Sequence, residues 1–282
     1  MQRALIGAVV LLLGVASVEA APQRVISADL CSDEYVFRLV PREHIVALSW
    51  LAGDTHPVVS TIAGKVRGIA LIRPLAEDIL TRSPDLVVLY EGTNPRLRAQ
   101  LAEAHVSVLD IPATDSLDGI RSVTRRLGRQ LGAIDNATAM LAEMNHTLDA
   151  ARAEAPARRV STLVYEANGY ATTGRLADEI MAAAGLADAA PGLNPTRSGT
   201  IPVEEAIALA PRLLIFNRAD GTIRSQADLV LHHPAFSALA GKTSVASLAL
   251  TPLLCPGPWS VSVVPALARL GRDTLAHGTA QP

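Results

Sequence analysis

The sequence predicts an α/β protein built from two similar lobes that are joined by one long helix. Three observations lead to this prediction. Short apolar runs alternate with helical segments, a helix–proline–strand segment occurs twice, and the stretch 136–155 contains no Gly or Pro. Such alternation is typical of parallel sheets, whose buried strands are continuous apolar runs. We therefore expect one parallel sheet in each half of the chain.

The elements of the first half follow from its apolar runs and its helix breakers. The predicted strands lie at 24–27, 45–48, 86–89 and 106–109. The first predicted helix begins at Ser32 or Asp33, as N-cap, and runs to about Leu39, and two more helices lie at 75–82 and 95–104. Pro84 ends the predicted helix at 75–82, because proline favours an extended residue before it. The segment 49–73 is rich in Gly, Thr and Pro, so we expect a loop, and loops of this length usually carry function.

The centre of the chain has a different character from its two halves. Alanine is frequent there, and Met140, Leu141, Met144 and Leu148 recur at helical spacing, which predicts one helix over 136–155. Beyond it the α/β pattern begins again. The predicted strands of the second half lie at 160–165 and 213–216, and the predicted helices at 176–184 and 203–209.

A repeated segment relates the two halves to each other. Glu77 stands seven residues before Pro84, which precedes an apolar strand, and Glu204 stands seven residues before Pro211, which does the same. One helix–proline–strand unit is common in α/β proteins, but two of them on either side of a long helix indicate two lobes of like construction.

The first residues predict export and set the domain bounds. Arg3 precedes an apolar run at 4–15, and Val18-Glu19-Ala20 is typical of a signal-peptide cleavage site, so we expect a signal peptide at 1–20. Position 21 is alanine, which argues against a lipid anchor. The remaining chain is expected to form a first lobe at 21–134, a linker helix at 135–158 and a second lobe at 159–282.

Composition and motifs exclude several classes of function. The chain has 25 Lys and Arg against 27 Asp and Glu, and no basic block indicates nucleic-acid binding. It contains no G-x-S-x-G, H-E-x-x-H or C-x-x-C motif, so an exported hydrolase is a weaker alternative. In an oxidising compartment Cys31 and Cys255 either form a disulfide or remain two separate thiols, and the sequence leaves both open.

The segment Pro256-Gly257-Pro258-Trp259-Ser260 lies late in the chain. Together with the first strand and its helix, the repeated segments and the central helix, in this order, it makes the sequence resemble the bacterial periplasmic binding proteins that carry cobalamin, ferric siderophores and haem. The resemblance implies two Rossmann-like lobes joined by one helix, a ligand cleft between them, and a monomer in the periplasm that is neither an enzyme nor dependent on a cofactor. It also implies that the membrane subunits of an ABC importer are the partner of this protein. Glu77 and Glu204 would dock on that partner, and Glu205 competes with Glu204 for the role.

Candidate ligand contacts lie at the predicted cleft-facing strand ends and loops. Rings there would grip a corrinoid or a ferric chelate by burial and stacking. The candidates are Trp50, Tyr90, Tyr165, Tyr170 and Trp259, with Arg197 as a partner for a ligand carboxylate or phosphate. Tyr165 is equally well interpreted as a core residue.

A receptor for haem or for a bare divalent metal ion is the nearest alternative. Seven histidines are present, but His232 and His233 are adjacent rather than at ligand spacing, and several others fall in or beside predicted helices. Only His56 lies in a loop on the predicted cleft side. One histidine does not make a metal site, although His56 would be suited to an axial contact with a corrinoid or haem metal.

Overall fold

Two parallel sheets, one in each half of the chain, dominate the computed structural model, which describes residues 21–56, 59–172, 174–190, 200–218 and 226–278. We call the parts of the chain around the first and the second sheet the first and the second lobe. The predicted α/β fold with two lobes is confirmed. The predicted signal peptide at 1–20 lies outside the described residues.

The first sheet has the strand order β3–β2–β1–β4–β5, with every pair parallel. Its strands are β1 (Val25–Ser27), β2 (Ile45–Ser49), β3 (Ala70–Ile72), β4 (Leu86–Tyr90) and β5 (Ser107–Ile111). The edge strand β3 was expected to be loop. It has only three residues, two of them exposed, so no buried apolar run marks it in the sequence.

The second sheet has the order β7–β6–β8–β9 and is also parallel throughout. Its strands are β6 (Val160–Tyr165), β7 (Leu186–Asp188), β8 (Leu213–Phe216) and β9 (Ser244–Ser247). The predictions found β6 and β8 but missed both edge strands. β7 is short, and the residues of β9 alternate between half-buried and exposed, which removes the apolar signal.

Helices cover both sheets and connect the lobes. They are α1 (Leu30–Leu39), α2 (Ala76–Leu80), α3 (Pro95–Glu103), α4 (Leu117–Gln130), α5 (Ile134–Glu154), α6 (Arg175–Ala183), α7 (Val203–Ala208) and α8 (Val264–Gly278). The predicted N-cap of α1 is wrong. Asp29 caps the helix, because its Oδ1 accepts the backbone N–H of Ser32 at 2.9 Å.

The long helix α5 packs on both lobes. Ala137 near its start belongs to the core of the first lobe, whereas Met144 and Leu148 belong to the core of the second lobe. The preceding helix α4, which was not predicted, lies against α5. At their closest approach a Cβ on Gly128 would stand 2.5 Å from Cβ of Ala137, so glycine permits this contact.

The repeated segment has the same backbone course in both lobes. α2 leads into β4, which pairs with β1, and α7 leads into β8, which pairs with β6. Both helices end before a residue in the left-handed region, Ser83 with a φ of 46° and Ala210 with a φ of 44°. Each of these residues is followed by the proline of the repeat. The two lobes thus share a local geometry as well as a sequence pattern.

Candidate functional site

The carboxyl ends of the strands are the positions where open α/β sheets bind ligands. We call these ends the cleft edge of each lobe. They are formed by Ser27, Ser49 and Tyr90 in the first lobe and by Tyr165, Phe216 and Ser247 in the second.

Two predicted ligand contacts lie at the cleft edge of the first lobe. Trp50 directly follows β2 and is 49% exposed. Tyr90 is the last residue of β4 and is half-buried, and this burial raises the pKa of its hydroxyl. Both rings belong to segments that leave the sheet at the same edge, as parallel strands require.

Two aspartates at the start of α1 hold this edge together. Asp29 Oδ2 accepts the backbone N–H of Tyr90 at 2.7 Å, which connects β1 to β4. The fully buried Asp33 accepts the Ser49 N–H at 2.9 Å, and its Oδ2 lies 2.5 Å from Ser49 Oγ. Burial raises the pKa of Asp33 to about 8. The role of these two aspartates was not predicted from the sequence, although a pair of aspartates one helical turn apart after a strand was a visible signal.

The two predicted tyrosines of the second lobe lie in different environments. Tyr170 follows the short turn Ala167–Gly169 and is 42% exposed, so its ring is open to the solvent. Tyr165 has no exposed surface, and its hydroxyl donates to the Ile201 carbonyl at 2.9 Å. The ring of Phe236 packs edge-on against it at 5.5 Å. Tyr165 is therefore a core residue, which corrects its interpretation as a ligand contact.

Trp259 lies away from the end of α1 that faces the cleft edge. Its ring packs against Tyr35 at a centroid distance of 4.7 Å, and the Arg38 guanidinium stacks on it at 4.4 Å. Arg38 is in the last turn of α1, whereas the cleft edge lies at the first turn. The structure thus places Trp259 in the packing between α1 and α5, and its interpretation as a cleft ring is corrected.

The segment 251–263, which we call the crossing segment, connects the lobes a second time. Cys255 forms a disulfide with Cys31 in the first turn of α1. Next to it the Tyr35 hydroxyl donates to the Pro256 carbonyl at 3.2 Å. Val261 and Val263 of the same segment are buried in the core of the second lobe. The crossing segment therefore belongs to the second lobe and is bound covalently to the first.

A cationic group that the sequence analysis missed lies at the cleft edge of the second lobe. Arg218 follows β8 by two residues, its Nε donates to Ser247 Oγ at 3.0 Å, and its Nη1 lies 2.8 Å from His232 Nε2. Nothing local in the sequence marks Arg218, because its partners come from distant segments. The predicted Arg197 lies outside the described residues.

The two predicted docking carboxylates occupy equivalent positions. Glu77 is the second residue of α2 and Glu204 the second residue of α7, and both side chains are exposed. Glu205 is only half-exposed and engages another residue.

The described ranges hold no cluster of metal-binding side chains and no helix suited to span a membrane. There, no three His, Cys, Asp or Glu side chains lie close enough together to hold a metal ion. His56 is exposed, and its backbone N–H donates to Asp54 at 2.8 Å. Over the same ranges, no helix combines the length and apolar character needed to cross a membrane.

Several known structures have a similar fold and are distant in sequence. The periplasmic haem-binding protein BhuT, in complex with two haems, has a TM-score of 0.69 at 22% identity, over 91% of this chain and 100% of that one. The vitamin B12-binding protein BtuF of Vibrio cholerae has a TM-score of 0.63 at 17% identity, over 90% and 98%. An Fe³⁺-hydroxamate transport protein from Saccharomonospora viridis has a TM-score of 0.62 at 19% identity, over 90% and 93%. These identities establish the fold alone.

Family assignment comes from the sequence rather than from these structures. Comparison with the sequences of curated proteins gives no match. The family model described as periplasmic binding protein matches residues 20–243, which include every strand of both sheets except β9. This family consists of binding proteins that serve transport and not of enzymes. The chain, with its two parallel-sheet lobes and its continuous helix α5, belongs to the periplasmic binding protein family.

Proposed function

We propose that this protein captures a metal chelate, cobalamin or a ferric siderophore, in the periplasm and delivers it to the membrane subunits of an ABC importer. One observation carries the proposal: each lobe presents an exposed ring beside its cleft edge, Trp50 at 49% and Tyr170 at 42% exposure. Aromatic rings give a large planar or apolar ligand extensive contact area and a stacking surface. A chelate bound between the lobes would bury both rings.

The similar structures support the same class of ligand. They include proteins described as binding haem or vitamin B12 and a protein of an Fe³⁺-hydroxamate transport system. All three ligands are metal chelates with large organic surfaces. Haem is therefore the second candidate, and the test must include it.

Thermal unfolding with and without ligand tests the proposal. A ligand that binds only the folded state raises the melting temperature by mass action. Cyanocobalamin, a ferric hydroxamate and haemin are the probes, and zinc chloride is the control for bare metal ions. We expect a concentration-dependent rise with one chelate class and none with zinc. A rise with zinc alone, or none with any chelate, would contradict the proposal.

Glu77 and Glu204 are proposed as the contacts to the importer. Each lies in the first turn of its helix, where the helix dipole favours a carboxylate. An exposed carboxylate at the same position of each lobe is suited to a partner with paired cationic groups. The equivalent helix ends at Ser83 and Ala210 support the idea that the two glutamates are presented alike.

The docking proposal requires a variant that separates uptake from binding. Exchanging Glu77 and Glu204 together for Ala should leave chelate affinity unchanged, because both lie on outer helices, while uptake of the labelled chelate falls. The control exchanges Glu103 and Glu143, two exposed glutamates outside the repeated segments. Normal uptake by the Glu77/Glu204 variant would overturn the assignment.

The periplasmic location rests on export through residues 1–20. Fractionation of the producing cells, followed by sequencing of the mature amino terminus, should give a periplasmic protein that begins at Ala21. Retention in the cytoplasm with an intact Met1 would contradict this part of the proposal. Size-exclusion chromatography of the same sample tests the expected monomer.

A further inference from the structure

Arg218 is the cation that the described residues bring to the cleft edge of the second lobe with fixed geometry. It leaves the sheet after β8, and its guanidinium lies 5.3 Å from the Phe216 ring, between the side chains of Ser247 and His232. Ser247 ends the neighbouring strand β9. Two strand ends and a third segment therefore determine where this charge lies.

The contacts of Arg218 leave part of its guanidinium available. Nε donates to Ser247 and Nη1 contacts His232 Nε2, which accepts when that ring is neutral. No carboxylate within the described ranges forms an ion pair with Arg218. Arginine has five N–H donors, so after its contacts with the described residues Nη2 and one N–H of Nη1 remain for another acceptor.

The carboxylates at the two cleft edges are engaged within their own lobes. Asp29 accepts the N–H of Tyr90, Glu91 accepts the N–H of Ala113 at 3.2 Å, and Glu166 accepts the hydroxyl of Thr172. These acidic groups therefore already have donors, whereas Arg218 has a charge without a counter-ion among the described residues. The natural complement of this edge is an anionic group on the ligand.

We propose that Arg218, positioned by Ser247 and His232, anchors a carboxylate at the rim of the bound chelate, so that the ligand is a chelate with at least one free carboxylate. This inference rests on the proposed function and narrows its substrate class. A guanidinium can bind a carboxylate through two parallel hydrogen bonds, which fixes the orientation of the ligand as well as its charge. The exposed rings of Trp50 and Tyr170 would then cover the apolar body of the same ligand.

Matched ligands that differ only in the carboxylate provide the test. Haemin is compared with its dimethyl ester, and a ferric hydroxamate with free carboxylates is compared with one that has none. Cyanocobalamin, whose side chains are amides, is the neutral reference. Affinities are measured by quenching of tryptophan fluorescence for the wild type and for Arg218→Gln, Arg218→Lys and Arg212→Gln. Arg212 is the matched control because it is exposed at the opposite end of the same strand.

We expect the wild type to prefer the free acid of one pair, and Arg218→Gln to weaken only that acid by about tenfold to hundredfold, the effect of a lost charged hydrogen bond. Arg218→Lys should retain part of the preference, and Arg212→Gln all of it. Equal binding of acid and ester by the wild type, or equal losses for both in Arg218→Gln, would overturn the anchor and leave the proposed function standing. Failure of every chelate to bind would overturn both.

Discussion

Asp33 is a carboxyl group with no exposed surface, placed where α1 meets the end of β2. Burial raises its pKa from the ordinary 3.8 to about 8, mainly because the charged form loses its hydration. Between these two values the folded protein holds a proton that the unfolded chain has released. The free energy of unfolding should therefore fall as the pH rises through this window, and level off above it.

Asp33→Asn tests this dependence without removing the hydrogen bonds. The asparagine carbonyl still accepts the Ser49 N–H, and its amide can donate to Ser49 Oγ. We expect the wild type to lose stability relative to this variant between about pH 4 and about pH 8, as measured by urea unfolding. Asp118→Asn, at an exposed site, should follow the wild type. Parallel pH profiles for Asp33→Asn and the wild type would show that Asp33 titrates normally.

The two tryptophans should respond to truncation in opposite ways. Trp259→Ala removes a ring packed between Tyr35 and Arg38, so we expect a loss of about 3 kcal/mol in the free energy of unfolding with ligand affinity unchanged. Trp50→Ala should leave stability nearly unchanged and weaken binding by about 1–3 kcal/mol. Urea unfolding and ligand titration measure the two quantities. A loss of affinity for Trp259→Ala and a loss of stability for Trp50→Ala would instead show that Trp259 contacts the ligand and that Trp50 is a core residue.

At the scale of elements, the sequence predicted those strands and helices that bury continuous apolar runs. It failed for β3, β7 and β9, which are all edge strands and leave part of their residues incompletely buried. It also missed α4, although Leu117, Ile120 and Leu127 recur at helical spacing and are buried. That signal was present in the sequence, whereas the edge strands depend on pairing with segments that are distant in the chain.

The candidate site was predictable only in part, for a similar reason. Tyr165 and Tyr90 both end apolar strands, but Tyr165 is fully buried by the core around Phe236, and the strand pattern does not reveal which face is covered. Trp50 directly follows β2 and is 49% exposed, whereas the ring of Trp259 packs against Tyr35 and Arg38 of α1. Arg218 acquires its partners through tertiary contacts alone. The sequence thus predicted which candidate residues lie at strand ends, but not which of their side chains are exposed.

The disulfide between α1 and the crossing segment should contribute substantially to stability. It joins residues 224 positions apart, and a cross-link over so long a loop restricts the unfolded chain strongly. Exchanging Cys31 and Cys255 together for Ser should lower the free energy of unfolding by about 2–5 kcal/mol. Urea unfolding with and without a reductant provides the control, since the reductant should destabilise the wild type and leave the variant unaffected. A reductant that leaves the wild type unchanged would contradict the prediction.

At the scale of the whole molecule, the described residues include three connections between the lobes. α5 passes between them, the crossing segment is bound to α1 by the disulfide, and Glu179 of α6 accepts the N–H of Leu117 at 2.7 Å. Opening or closing the cleft would have to bend a continuous helix and strain the two other connections. The ligand site should thus be largely formed before binding.

Small-angle scattering tests this expectation. The radius of gyration should be nearly the same with and without a saturating chelate, because closure is small. The variant with Ser at positions 31 and 255 is the comparison, since it lacks the covalent connection. A clear compaction of the wild type on ligand addition would show that the lobes move despite these connections.

The distance between the two cysteines along the chain also affects how the protein is made. In the proposed export through residues 1–20, Cys31 would emerge early, and its partner would follow only after 224 further positions. During that interval Cys31 is a free thiol, and since the chain has two cysteines it cannot form a wrong internal bridge. The only errors open to the emerging chain are bonds to other molecules. The native bridge can therefore form only once Cys255 has emerged, when both lobes are present.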